Sequence, residues 1–130
     1  MKKRADVAAW VEKAEQDYEG AETLSRKRSK PVPDLVCFCC QQAAEKYLKS
    51  FLVWRGVKPE RTHDLAQLVD ACAQLDATFS RLRSACVKLS DFAVDVRYPG
   101  VPVEVEEQMA REAVEVAEQI CNAISKKLPA

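Results

Sequence analysis

PDLVCFCCQQAAEKYLKSFLVWRG, residues 33–56, is the stretch on which the fold turns. It opens behind a proline and closes on a glycine, the asymmetry that marks a helix start and stop. At about 100° per residue, Val36, Cys40, Ala43, Ala44, Tyr47, Leu48 and Phe51 gather on one side. Gln41, Gln42, Glu45, Lys46, Lys49 and Ser50 fill the opposite arc, with Phe38 set among them and Leu35 and Val53 along it. A helix that is half polar in its middle and apolar nearly all round at its ends is expected to touch several neighbours.

The flanks repeat the helical rhythm. Val7, Val11, Ala14, Tyr18, Ala21 and Leu24 recur at spacings of three and four, with Trp10 beside them, and predict a first helix over about 5–28. Pro31 and Pro33 end it and start the next. After the connector Gly56–Arg61, Thr62 is an N-cap candidate with Asp64 in the positive first turn. Leu65, Leu68, Val69, Cys72 and Leu75 follow as a short third helix. Phe79, Leu82, Cys86, Leu89, Ala93 and Val96 predict a fourth, restarted at Asp76 or Thr78 and ended by Arg97-Tyr98-Pro99-Gly100. Pro102 and its acidic followers introduce a fifth, whose apolar face is Met109, Ala113, Val116, Ile120 and Ile124. Lys126 and Lys127 suit its negative end. Short connectors imply antiparallel neighbours. The expected fold is all-α: an antiparallel up-and-down bundle of four long helices and one short one, in a single domain over 1–130.

Composition narrows the function classes. Apolar residues make up 48% and charged ones 31%, too apolar for a disordered chain. Twenty basic and twenty acidic residues cancel, so net charge points to no polyanionic partner. No apolar run reaches the roughly 18 residues of a membrane span. The basic N-terminus lacks the apolar segment of a secretory signal. Cys37, Cys39 and Cys40 crowd one helical stretch, too close to cross-link a fold, so the six cysteines read as reduced thiols of a cytoplasmic protein. Cys37 and Cys40 share a helix face, but no second CxxC pair completes a metal site; small core residues is the simpler reading, with no metal or cofactor expected.

Three patches carry more information: CF-x-x-QQAAEKYLK at 37–49, RTHDL at 61–65 and RYPG at 97–100. In order and spacing they resemble the HEPN domain family, small helical-bundle proteins of prokaryotes and higher eukaryotes. The resemblance covers nearly the whole chain and implies a homodimer to which the second helix contributes. It also implies a prokaryotic minimal member that partners a small nucleotidyltransferase, as in a toxin–antitoxin pair. Many relatives in the wider family are metal-independent ribonucleases that carry Arg-x(4–6)-His. The chain has one histidine, His63, and the positions where that arginine belongs hold Gly56, Val57 and Lys58. Lysine lacks the planar fork that grips phosphate oxygens bidentately. The ribonuclease signature is therefore absent, and the resemblance implies a non-enzymatic subunit that binds nucleotide or RNA. A ribonuclease using His63 with a nearby basic residue, or a protein-binding scaffold, are the alternatives.

The candidate site residues follow. His63 suits acid/base work because imidazole titrates near neutrality; it also suits a capped helix start, its ring packed against the bundle end. Asp64 reads as a ligand group or a first-turn dipole partner. Arg61, His63, Asp64, Arg97 and Tyr98 form a ligand-binding patch if the two family turns meet. Phe38, Gln41, Gln42, Glu45, Lys46 and Lys49 are the candidate interface; a solvated face stitched by Glu45–Lys49 is the bland alternative. The basic run at 26–30 reads as an RNA contact or as helix capping.

Overall fold

A computed structural model describes residues 2–93 and 107–129. Five α-helices make up the bundle: α1 (Lys2–Ser25), α2 (Pro33–Trp54), α3 (Leu65–Leu75), α4 (Arg83–Ala93) and α5 (Glu107–Ser125). No strand occurs among the described residues, as the helical periodicities require. Arg97, Tyr98 and the RYPG turn lie outside the described residues, as do Val96 and the Pro102 start of the last helix.

α2 is the centre. It packs most extensively on α1, then on α5, and also meets α3 and α4. Val36, Cys37, Cys40, Ala43, Ala44, Leu48, Phe51 and Leu52 are almost fully enclosed. Pro33 sits in its first turn with Asp34 at the positive end. The C-terminus closes in a Schellman motif: Val57 N–H donates to Leu52 C=O (2.9 Å) and Gly56 N–H to Val53 C=O (3.0 Å). Gly56 holds φ 79°, a conformation that costs an L side chain energy and glycine none.

α1 contributes Val7, Ala14 and Ala21 to the core. Small residues at this spacing let two helix backbones approach closely. Its C-terminal turn uses the basic run on itself: Lys27 Nζ donates to the carbonyls of Ser29 and Lys30, each at 2.7 Å.

The fourth helix begins later than its rhythm predicts. Asp76 accepts from Thr78 N–H (3.0 Å) and Thr78 Oγ1 (2.6 Å), and Ala77–Leu82 winds as a 3-10 turn before α4 starts. The side-chain bonds at Asp76 offer the backbone a tighter course than an α-helix. That turn places Phe79 in the core, its ring centroid 4.4 Å from that of Phe51. The Lys127 backbone N–H donates to Ile124 C=O at 2.9 Å, while its Nζ reaches Asp76 Oδ2 at 3.0 Å and clasps the end of α5 to this turn.

Candidate functional site

The polar arc of α2 runs inward. Gln41, Glu45, Lys49 and Ser50 are all buried. The solvated-face reading is thereby corrected for Gln41, Glu45 and Lys49: α1 and the connector before α3 cover them. The Glu45–Lys49 pair exists, Lys49 Nζ donating to Glu45 Oε2 at 3.1 Å, but inside the protein. Trp10 of α1 lies over the ammonium, its ring centroid 5.7 Å from Nζ. Ser50 spends its hydroxyl on Tyr47 C=O at 2.6 Å. Of the other expected interface residues, Phe38, Gln42 and Lys46 are half-buried. Lys46 pairs with Asp17 of α1, and Gln42 donates to Gln41 Oε1 at 3.0 Å.

The connector folds back onto this arc. His63 Nδ1 lies 2.8 Å from Glu45 Oε1, and Gln41 Nε2 donates to the His63 carbonyl, also at 2.8 Å. The exposures of the two partners are opposite. The His63 side chain is 80% exposed and that of Glu45 only 4%. The expectation of a ring packed against the bundle end is thus corrected: the ring faces solvent and only its Nδ1 edge is held. Glu45 has both oxygens engaged, by His63 and Lys49, with Gln41 Nε2 a further 3.5 Å from Oε1. A buried carboxylate so surrounded keeps its charge compensated from several sides.

Asp64, not Thr62, caps α3. Asp64 Oδ1 accepts from Ala66 N–H (3.0 Å) and Gln67 N–H (3.4 Å), while Thr62 Oγ1 accepts from Asp64 N–H (3.1 Å). Replacing Asp64 with Ala is expected to lower stability by about 1 kcal/mol, measured by urea unfolding. Arg61 and Lys58 are exposed on the same connector. Beside it lies a cavity of about 150 Å³ lined by Leu52, Val57, Lys58, Glu60, Thr62 and Leu68. Val57 is exposed at its rim. The structure therefore brings His63, Gln41, Glu45 and Lys49 together, and sets Arg61 beside His63 in the chain. Their relation to Arg97 and Tyr98 lies outside the described residues.

The cysteines take core positions. Cys37, Cys40, Cys72, Cys86 and Cys121 are buried, and burial pushes each thiol above its ordinary range. Among the described residues no three His, Cys, Asp or Glu side chains cluster as metal ligands.

The link from Glu45 to His63 escaped the sequence reading. The two are eighteen residues apart, and the only trace was Glu45 at four residues from both Gln41 and Lys49.

Comparison with known proteins sets this geometry in context. The model of the HEPN domain matches residues 7–128. The crystal structure of ST0689, an archaeal HEPN homologue, is 28% identical with a TM-score of 0.72, over 93% of this chain and 96% of that one. The crystal structure of TT1696 from Thermus thermophilus is 25% identical with a TM-score of 0.80, over 94% and 98%. No curated protein matches the chain.

Proposed function

This chain belongs to the HEPN domain family, and from that premise we propose that it is a cytoplasmic, homodimeric HEPN subunit that binds nucleotide or RNA at His63. In this reading it works with a minimal nucleotidyltransferase, as in a toxin–antitoxin pair. The observation that supports ligand binding is the imidazole: a side chain 80% exposed yet fixed from behind by a carboxylate that is 4% exposed. A polar group held in one orientation while facing solvent has lost its conformational freedom before any ligand arrives, which is what a binding site needs. Arg61, exposed two residues away, adds a guanidinium suited to phosphate. Phe38, Gln42 and Lys46 are the half-buried members of the expected α2 interface. The buried thiols agree with a reducing compartment.

The same imidazole favours one other reading, a ribonuclease in which His63 acts with Arg61 or Lys58. Titrating the protein with ATP and with a short labelled RNA separates the two. Binding weakened about tenfold in His63→Ala, without cleavage, is the expected result. Cleavage by the native protein that disappears in His63→Ala makes the chain an enzyme. No binding of either probe removes the ligand from the proposal. Light scattering at micromolar protein is expected to give a dimer, and a monomer there contradicts the assembly.

A further inference from the structure

We infer that Glu45 is a positioning residue that holds His63 as its Nδ1–H tautomer, leaving the Nε2 lone pair to accept a hydrogen bond from a neutral donor of the ligand. The inference rests on the ligand-binding reading above and says which part of a nucleotide the imidazole meets. A carboxylate paired with an ammonium has no proton to give, so the hydrogen in the 2.8 Å contact between His63 Nδ1 and Glu45 Oε1 comes from the ring. Lys49 occupies the other oxygen and keeps the carboxylate from turning away. Gln41 ties the His63 carbonyl to the same helix, so backbone and ring are anchored at adjacent turns of α2. Fixing one ring nitrogen fixes the role of the other.

In its neutral form, the ring so held offers solvent the Nε2 lone pair. A lone pair repels phosphate oxygen and accepts from O–H or N–H, so the matching chemistry is a ribose hydroxyl or a base amine. The phosphates of the same ligand fall to the exposed cations of the connector, Lys58 and Arg61.

The test starts on the ligand-free native protein. Two-bond ¹⁵N–¹H spectra of the only histidine are recorded through a pH series up to its alkaline plateau. A protonated Nδ1 and a bare Nε2 are expected; the opposite tautomer overturns the inference whatever binds. Glu45→Gln is expected to give a mixture of tautomers, and an unchanged spectrum in a folded Glu45→Gln protein also overturns it. The ligand arms use ATP, 2′,3′-dideoxy-ATP, purine riboside triphosphate and inorganic tripolyphosphate. Loss of one donor is expected to weaken binding about three- to tenfold, for the dideoxy analogue if the donor is a hydroxyl and for the purine analogue if it is the amine. Tripolyphosphate moving the His63 signals as far as ATP does, or both analogues binding like ATP, refutes the donor assignment. If no nucleotide or RNA binds, the functional reading and the donor assignment fall together, while the tautomer is decided by the ligand-free spectrum alone.

Discussion

Raising the pH from 9 to 10 in the presence of a reductant is expected to destabilise this protein steeply. Cys37 is pushed from 9.0 up to about 11, Cys72, Cys86 and Cys121 up to about 12, and Cys40 further still, in each case chiefly by burial. A raised value in the fold means that the unfolded chain releases its thiol protons first. The stability tied to these groups is whole below pH 9 and drains away as the pH climbs toward the folded values. Each thiol that ionises only in the unfolded state removes about 1.4 kcal/mol per pH unit. Between pH 9 and 10, where the unfolded thiols pass from half to nearly fully ionised, five acting together remove roughly 5 kcal/mol, against a total of about 5–15 for an ordinary domain. Tyr18 and Tyr47, both raised from 10.0 to about 12, steepen the fall above pH 10. Urea unfolding across pH 7.5–10 measures the slope directly. Replacing Cys72 and Cys86 with alanine is expected to flatten it in proportion to the thiols removed, even though the variant starts less stable. A native profile that stays level to pH 10 contradicts the mechanism.

The second large effect comes from the buried ion pair. Glu45→Leu strands the Lys49 ammonium, 9% exposed, without its carboxylate, and is expected to cost about 3–5 kcal/mol. Lys49→Met is expected to cost less. The carboxylate it leaves behind still accepts from His63 and has Gln41 close by. The double variant Glu45→Leu/Lys49→Met is expected to recover most of the loss, because two apolar chains of similar length fill the space with no charge to desolvate. The non-additive part of the cycle measures the coupling. A double variant as damaged as the sum of the singles shows that the pair acts through packing alone.

Much of the bundle was legible in the chain because apolar periodicity reports directly on which side of a helix is covered. Ala14 and Ala21, Leu65 to Cys72, and Ala113 to Ile124 took the buried faces that their spacing assigned. Two things were not. A three- and four-residue rhythm does not distinguish a 3-10 turn from the start of an α-helix, so the winding at Ala77–Leu82 depended on side-chain bonds at Asp76 that periodicity does not register. Polarity was also a poor guide to exposure on α2. Gln41, Glu45 and Lys49 satisfy one another and meet His63 across the fold, so their burial is decided by partners distant in sequence. Of the ligand patch, His63 and Arg61 were legible as residue types, but the carboxylate behind the imidazole was not.

The bond from Lys127 to Asp76 spans fifty-one residues and joins the far side of the last helix to the middle of the polypeptide. Until synthesis on the ribosome passes residue 127, the emerging bundle lacks this tie, and burial of Ile120 and Ile124 alone seats that end of the helix. Before that helix is complete, the aliphatic flank of Ala113, Ile120 and Ile124 is open to contact with chaperones or with a second nascent chain. Assembly of the bundle thereby waits on translation of its fifth helix, and copies cut short before Lys127 forfeit the fastening.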